Sequence, residues 1–447
     1  MKTISDFTEG PILKPLLKFA FPILFAMLLQ TMYGAVDLII IGQFCDAAAV
    51  SAVSNGSHIL MTISNVITGI SLGMTILLGQ KIGEKKLEDA GKIIGSGIVL
   101  FFILALITSV LMIFTTPAWI KMLRVPVEAI APCKSYMIIC SAGILFIVAY
   151  NLLGAIFRGL GNSKLPLIIV AIASVFNIFG DLFFVAVLKM GSAGAAIATV
   201  MAQALSVVIS LFIIVRMDLP FTFNIKMIKF NGNCNAQILR LGVPVAFQDL
   251  LVSISFFVLT AIVNSMGVIA SAGIGIAEKV CGFIMLVPSA FSQSMSSVVA
   301  QNYGARKMDR ARKALICGIG SSLLVSVFIA YLGFFHGNLL CGLFSKENAV
   351  VFAGWEYLKG YSIDVLFTSF LFCFIGFYNG AGRTKFVMLQ GIFGAFCIRV
   401  PLSFVINHFY PDSIFYLSLA TPSSTVMQIV ICFVYASFFF KKERLPE

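Results

Sequence analysis

The stretch FRGLGNSK at residues 157–164 separates two long apolar segments, and a related stretch, YNGAGRTK at residues 378–385, separates two others. One constant shift in residue number superimposes the two stretches, and it carries Gly161 onto Gly382. Glycine readily adopts the left-handed backbone that a tight turn between helices needs. The two stretches are therefore predicted to be equivalent corners of a duplicated chain.

The same shift joins a second pair of segments, LGQKIGEKKLEDAGK at 78–92 and VAQNYGARKMDRARK at 299–313. Near the start of each copy, Pro22 and Pro244 correspond at a shift that is larger by a single position. A nearly constant shift over such distant landmarks indicates an internal repeat, which is common among membrane transporters. The chain is predicted to consist of two copies of one unit.

The composition indicates a membrane protein. Of the 447 residues 60% are hydrophobic and 11% are charged, and the mean hydropathy is +1.02, whereas soluble domains are about 25% charged. Many apolar segments exceed the roughly 20 residues with which a helix crosses the hydrocarbon core. The predicted spans, numbered 1 to 12, lie at about residues 14–43, 50–79, 91–117, 128–158, 164–188, 191–217, 237–266, 270–301, 312–340, 350–380, 386–408 and 412–440.

Six spans in each copy give both copies the same orientation in the membrane, related by an axis along the membrane normal. We therefore predict an all-α membrane protein with twelve transmembrane helices in two pseudo-symmetric six-helix bundles around a central cleft. The predicted domains are an N-terminal lobe at 1–217, a polar cytoplasmic linker at 218–236 and a C-terminal lobe at 237–447.

The charge distribution predicts the orientation of the chain. Most of the 31 Lys and Arg residues fall at the two ends of the chain or in the loops that follow even-numbered spans. Cytoplasmic loops carry such an excess, so both termini are predicted to lie in the cytoplasm of a multi-pass protein of the inner cell membrane. Anionic lipid accounts for the net charge of +12, and no nucleic-acid partner is expected.

Several functional classes are excluded by missing motifs. The ten cysteines and three histidines are scattered without the clustering that a transition metal requires. No glycine-rich loop ends in Gly-Lys-Ser or Gly-Lys-Thr, as an ATP-driven pump would need. The sequence shows no pairing of a nucleophile with a general base, which an enzyme would need. We expect no cofactor apart from a coupling ion.

The two copies differ in polar residues at predicted membrane depth, where ionisable groups are costly and usually functional. At seven positions the first copy has a polar side chain where the second has an apolar one. These positions are Tyr33, Asp37, Asn151, Ser174, Asn177, Asp181 and Thr199.

The spacing of these residues predicts that they converge. Ser174, Asn177 and Asp181 share one face of span 5, and Tyr33 and Asp37 share one face of span 1. At ~1.5 Å per residue, both acids and the threonine of span 6 lie about 9–12 Å from the outer ends of their spans. We expect them to meet at one level of the membrane.

Such a cluster is suited to a cation. The oxygens of Asp37, Asn177, Asp181 and Thr199 match the ligands of a hard cation such as Na⁺, and without a metal the two acids would share a proton. The coupling ion is therefore predicted to be H⁺ or Na⁺. The alternative is a set of hydrogen-bonded groups that only holds helices together.

The second copy has its own charged residues at predicted membrane depth. Asp249, Glu278, Asp364 and Arg399 are candidates for contacts in a substrate cleft. The alternative is that they neutralise one another, for instance Arg399 with Asp364, or Lys279 with an acid on another helix.

Taken together, these motifs resemble the multidrug and toxic compound extrusion (MATE) transporters over nearly the full chain. The stretches that carry the resemblance are AVDLIIIGQF, FRGLGNSK, NIFGDLFFV, GAAIATVMAQ and AQNYGARKMDRARK. The resemblance implies an antiporter that exports amphipathic, often cationic, organic compounds in exchange for H⁺ or Na⁺. It points to the DinF-like branch, in which Asp37, Asn177, Asp181 and Thr199 fall on the cation-binding residues, with Tyr33, Asn151 and Ser174 as neighbours. Asp249, Glu278 and Asp364 match the C-terminal carboxylates of other branches only loosely.

We therefore predict a secondary active multidrug efflux antiporter that works by alternating access. It is expected to be a monomer whose partners are small organic molecules and membrane lipid. The alternative is a flippase for a lipid-linked precursor, for which fourteen spans and a strongly cationic cavity would be typical. A major-facilitator transporter is disfavoured, because its signature after the second span is missing from LGQKIGEKKLEDAGK.

Overall fold

The computed structural model describes residues 5–217, 219, 221, 223–411 and 413–442. Lys2 and Arg444, which contribute to the predicted charge bias, and three positions of the predicted linker lie outside the described residues. Over the described ranges the regular structure is helical, and no β-strand occurs in them.

The helices correspond to the twelve predicted spans. Span 4 consists of two helices with a 48° bend between them, and spans 8 and 12 are each interrupted at one residue, Met285 and Leu419. In chain order, spans 1 to 12 are Leu13–Phe44, Ala47–Gly83, Leu87–Met122, Val127–Ala142 with Ile144–Gly159, Lys164–Val187, Gly191–Arg216, Gly232–Asn264, Val268–Gly304, Met308–Gly342, Asn348–Gly380, Thr384–Phe409 and Ile414–Lys441.

The corners after spans 4 and 10 have the same backbone. Gly161 has φ +77° and Gly382 has φ +74°, in the region that glycine occupies without steric cost. One residue after each glycine, the backbone N–H closes the turn at 2.8 Å, from Asn162 to the Phe157 oxygen and from Arg383 to the Tyr378 oxygen. The predicted equivalence of the corners is confirmed.

A second pair of corners, after spans 2 and 8, repeats this agreement without glycine. Lys85 and Arg306, which the repeat shift superimposes, both have a left-handed backbone, with φ 59° and 55°. Since this conformation is unusual for residues with a Cβ, its recurrence at corresponding positions is independent support for the duplication.

By its internal contacts the chain forms two compact units. The first unit consists of Met1–Asp6 and Phe25–Ala246, and the second of Phe7–Leu24 and Phe247–Glu447. The first part of span 1 therefore belongs to the second unit, and the first part of span 7 to the first unit. Both changes of unit follow shortly after a proline, Pro22 or Pro244, which removes a helical hydrogen bond.

Close packing holds the first part of span 7 in the first unit. A Cβ at Gly242 would lie 2.4 Å from the backbone oxygen of Ile70 on span 2. Because the neighbouring atoms are backbone, they cannot move aside as a side chain would. Only glycine allows spans 2 and 7 to approach this closely.

Each unit has a buried apolar core, formed around Met74, Phe101 and Met137 in the first and around Tyr357 and Val365 in the second. Large apolar side chains are also exposed along the spans, among them Phe114 at 79%, Val215 at 84% and Phe257 at 72%. A surface this apolar requires lipid rather than water around it.

Candidate functional site

Four of the polar residues predicted for the first unit are buried inside it, Ser174 among them. The exposed fraction is 7% for Asp37 on span 1, 1% for Asn177 and 0% for Asp181 on span 5. Buried ionisable groups at membrane depth are costly unless they are paired or bind an ion. The two acids are therefore the first residues whose role the structure must explain.

The structure brings the two acids together. The carboxyl groups of Asp37 and Asp181 lie within hydrogen-bonding range of each other, although the two residues are far apart in the chain. The Thr199 hydroxyl lies beside the Asp37 carboxyl, but it does not have the geometry of a formed hydrogen bond. Spans 1, 5 and 6 thus contribute one group each to a common centre.

This centre lacks hydrogen-bond partners among the described residues. The buried atoms without a partner are Asp37 Oδ1, both carboxylate oxygens of Asp181, Oδ1 and Nδ2 of Asn177, and Thr199 Oγ1. Buried polar atoms in proteins nearly always have a partner, and carboxylate oxygens only accept hydrogen bonds. The three unpartnered carboxylate oxygens are acceptors to which no described donor bonds, and a cation or a shared proton would satisfy them.

The local structure of span 5 directs its polar residues to one side. Ser174, Asn177 and Asp181 are all buried and follow one another at three- and four-residue intervals. Directly after Asp181 the α-helix widens to a π-helix at Leu182–Val187, in which the Leu188 N–H bonds to the Phe183 oxygen at 2.9 Å. Such π-turns are frequent at functional sites, and the sequence had not predicted this one.

Two further predicted neighbours, Asn151 and Tyr33, have partners of their own. Asn151 accepts a 2.9 Å hydrogen bond from the Thr68 hydroxyl and donates one of 2.9 Å to the Ile147 oxygen. The Tyr33 hydroxyl lies beside the side-chain amide of Gln203. Asn151 therefore has its amide satisfied, whereas Asn177 does not.

Sequence comparison of the copies missed four polar residues in this region: Thr68, Tyr136, Cys140 and Gln203. Tyr136 and Cys140 on span 4 face Asp37. All four correspond, under the repeat shift, to Ser or Tyr in the second copy. The sequence comparison selected positions that are polar in the first copy and apolar in the second, so it could not find these four. Gln203 had a usable signal, because it follows Thr199 by four residues in span 6.

In the second unit, Arg399 and Asp364 are buried, with exposed fractions of 5% and 2%. The Arg399 guanidinium donates a 2.9 Å hydrogen bond to the Ser255 hydroxyl and lies 4.1 Å from the centre of the Phe256 ring. The two charges face each other, but no nitrogen-to-oxygen contact within 4.0 Å joins them among the described residues. The predicted alternative, in which Arg399 and Asp364 neutralise one another, would therefore act between facing charges without direct contact.

The other charged candidates of the second unit are exposed. Glu278 accepts a 3.2 Å hydrogen bond from the Thr260 hydroxyl, and Asp249 faces no charged side chain of the described residues. The Lys279 ammonium lies 5.8 Å from the centre of the Phe344 ring and forms no ion pair with a described acid, so the predicted pairing of Lys279 with an acid on another helix is wrong. Of the four cleft candidates, the structure brings together only Arg399 and Asp364.

Comparison with known proteins identifies a consistent set of relatives. A family model described as MatE matches residues 22–183 and again residues 244–405. The probable multidrug resistance protein YpnP of Bacillus subtilis (strain 168) is 29% identical over 399 residues, which cover 89% of each chain. The multidrug export protein MepA of Staphylococcus aureus (strain N315) is 25% identical over 412 residues, covering 90% of this chain and 88% of its own.

The fold is similar to that of a solved structure, the outward-facing conformation of a multidrug resistance MATE family transporter of the MOP superfamily. It matches with a TM-score of 0.93 at 18% identity and covers 100% of this chain and 99% of its own. The two matches of the family model begin at Pro22 and at Pro244, the two prolines that the sequence repeat pairs.

Proposed function

The chain belongs to the MATE family of multidrug efflux transporters, and from this premise we propose that it is a secondary antiporter exporting amphipathic, often cationic, organic compounds in exchange for H⁺ or Na⁺. The chain is a multi-pass membrane protein and a transporter rather than an enzyme. The observation that carries the proposal is the pair of buried carboxyl groups, Asp37 and Asp181, which face each other, while Asp37 Oδ1 and both oxygens of Asp181 accept no hydrogen bond from the described residues.

The chemistry of this pair supports ion coupling. Two carboxylates in contact repel each other when both are ionised, and burial adds a cost for each charge. A proton or a Na⁺ ion bound between them removes the repulsion, and the oxygens of Asn177 and Thr199 add neutral ligands for a metal ion. When the ion leaves, the repulsion between the two carboxylates returns, and this repulsion favours the binding of the next ion.

Ion binding is proposed to act on transport through span 1. Asp37 lies in the part of span 1 that belongs to the first unit, whereas residues up to Leu24 belong to the second unit. An ion that draws Asp37 towards Asp181 would bend span 1 between Leu24 and Asp37. Pro22 weakens the helix close to Leu24. If ion and organic substrate favour different conformations, each lowers the affinity for the other, which is the coupling that antiport requires.

The flippase alternative is not favoured. The family model matches both copies of the chain, and the described residues form up to twelve spans, whereas fourteen would be typical of the flippase. The residues buried in the candidate site of the first unit are acidic, and they would repel the pyrophosphate group of a lipid-linked precursor rather than bind it.

Three finer features are part of the proposal. The excess of Lys and Arg in the loops after even-numbered spans supports cytoplasmic termini. The internal repeat supports two lobes, at 1–217 and 237–447. The acidic pair of the first copy supports the DinF-like branch.

The test is efflux of a cationic dye from proteoliposomes under a sodium gradient alone and under a pH gradient alone. Wild-type protein is expected to respond to at least one gradient, and Asp37→Asn to neither. Asp309→Asn is the matched control, because Asp309 lies in the first turn of span 9, outside the pair. Undiminished ion-driven efflux by Asp37→Asn would reject the proposal.

A further inference from the structure

Arg399 is a buried cation that forms no direct ion pair with any acid in the described part of the chain. Its side chain is 5% exposed, one nitrogen donates to the Ser255 hydroxyl at 2.9 Å, and Nε has no partner. An arginine side chain stays protonated in proteins, and an uncompensated charge at membrane depth is costly. Some nearby negative group must balance it.

Asp364 on span 10 is the carboxylate that faces Arg399. The other ionisable groups facing the guanidinium are the hydroxyls of Tyr361 and Tyr357. Glu278 faces Tyr357 rather than the guanidinium. Asp364 is 2% exposed, lies beside the Thr425 hydroxyl, and has one oxygen, Oδ1, without a partner.

The separation beyond 4.0 Å does not make this interaction weak. Charges inside a protein are poorly screened, so opposite charges attract over several ångströms without contact. The hydrogen bond to Ser255 and the Phe256 ring hold the guanidinium in place, which fixes a positive charge opposite Asp364.

The two units therefore differ in whether a positively charged side chain faces their buried acids. In the first unit, Asp37 and Asp181 are two acids that no Lys, Arg or His of the described residues faces. In the second unit, Asp364 faces a cation that is covalently part of the chain. The first arrangement requires a mobile cation for neutrality, and the second does not.

We propose that Arg399 is a tethered counter-cation for Asp364, so that the second unit binds no coupling ion and a single ion site, in the first unit, serves each transport cycle. The statement about the second unit is independent of the first, and only the total of one ion rests on the proposed function. Arg399 is a positioning residue that sets the ion count.

The arrangement is not a remnant of the first unit's site. Under the repeat shift Arg399 corresponds to Ile178 and Asp364 to Gly143. Arg399 is also the last residue of a π-helix at Phe393–Arg399, whereas the π-helix of span 5 starts after Asp181. The second unit has acquired its pair of charges at positions of its own.

The test counts the cations bound by the purified full-length protein. Binding of radiolabelled Na⁺ is measured by equilibrium dialysis at alkaline pH, and proton uptake on acidification is measured in Na⁺-free solution. With Arg399 present, Asp364→Asn is expected to leave the number of bound cations unchanged. Arg399→Gln is expected to add one cation, H⁺ or Na⁺, and Arg399→Gln with Asp364→Asn to remove it again. Arg399→Lys, which keeps the charge, is expected to add none.

Two outcomes would overturn the inference: the loss of one cation in Asp364→Asn, or no gain in Arg399→Gln. The same measurement in an Asp37→Asn, Asp181→Asn background separates this inference from the proposed function. There no Na⁺ is expected to bind, and Arg399→Gln is expected to add one bound Na⁺, or one proton taken up relative to this background. A cation that persists in this background rejects the first-unit site, while the gain or its absence still decides the role of Arg399.

Thermal unfolding gives a readout that does not depend on ion binding. Asp364→Asn leaves Arg399 without a counter-charge, so it is expected to have a lower Tm than the double variant Asp364→Asn, Arg399→Gln, which has neither charge. If the single variant is as stable as the double variant, the two charges do not compensate each other and the inference fails.

Discussion

The hydroxyl of Thr68 donates a hydrogen bond to the side-chain oxygen of Asn151 at 2.9 Å, linking span 2 to span 4. With its nitrogen bound to the Ile147 oxygen, Asn151 has a protein partner for each of its two polar atoms. Asn177 is buried to 1% exposure with both polar atoms unpartnered. The two asparagines predicted for the same site therefore have different roles.

Replacing these two asparagines is expected to have unequal effects. Asn177→Ala removes a ligand of the bound cation, and a hydrogen bond or contact to a charged group is worth about 1.5–3 kcal/mol, so cation affinity is expected to fall roughly tenfold or more. Asn151→Ala, the matched control, is expected to lower the affinity less than about threefold. The measurement is the ion concentration at half-maximal dye efflux in proteoliposomes. An equal or larger loss in Asn151→Ala would contradict this assignment.

Asp181→Asn is expected to abolish stabilisation by the coupling ion while keeping the fold intact. An amide at this position can donate to Asp37, and one of two like charges is removed, so the Tm without ion should equal or exceed that of wild type. A ligand at about 100 times its Kd stabilises a protein by about 2.7 kcal/mol, and this increase should appear with Na⁺ or acid in wild type only. The prediction fails if Asp181→Asn is stabilised as much as wild type.

Arg310 is expected to anchor the start of the chain to the second unit. Its guanidinium donates to the Gly10 oxygen at 2.9 Å and to the Phe7 and Glu9 oxygens at 3.1 Å each. Arg310→Ala removes all three bonds and is expected to destabilise the protein by about 1–3 kcal/mol. Thermal unfolding and protease sensitivity of the segment before span 1 measure the loss. Lys313→Ala, an exposed cation on the same helix, should change neither property.

Gly242→Ala is expected to disturb the contact of spans 2 and 7. The added Cβ would lie 2.4 Å from the Ile70 oxygen, and overpacking of this kind costs about 1–3 kcal/mol. Gly275→Ala on span 8 is the control, because its Cβ meets nothing within 4 Å and alanine is favoured over glycine in helices by about 1 kcal/mol. Tm values that move in the same direction for both variants would contradict the packing argument.

Glu84, in the corner after span 2, is expected to make stability depend on pH. Partial burial opposes its ionisation, but hydrogen bonds from Lys81 and Lys86, at 2.8 and 3.0 Å, outweigh it and hold the pKa of Glu84 below its usual value. A carboxyl with a lowered pKa in the folded state stabilises the protein above its unfolded pKa, and this is lost as the pH falls through the folded value. The Tm of Glu84→Gln should be below that of wild type at neutral pH and converge with it in acid. A constant difference would rule out this linkage.

Several features of the site could be predicted from the sequence because they depend on one helix at a time. The three- and four-residue spacing of Ser174, Asn177 and Asp181 directs them to one face whatever surrounds the helix, and the structure buries all three. The sequence placed Asp37 and Asp181 at the same depth in the membrane, and in the structure they face each other. Asn151 was grouped with them on the same reasoning, but its partner Thr68 lies on another span, far away in the chain, and no local pattern indicates it.

The sequence by itself determined the twelve spans, the duplication and the two glycine corners. Each follows from a local requirement: enough apolar residues to cross the hydrocarbon core with every backbone group bonded within its helix, or a left-handed backbone at Gly161 and Gly382. Only the tertiary structure decided which unit each half of spans 1 and 7 joins, and that Arg399 bonds to Ser255 without touching Asp364. These features depend on how helices that are far apart in the chain pack against one another. The spacing of residues within one helix shows which residues share a face, but it does not show which residues of another helix they contact.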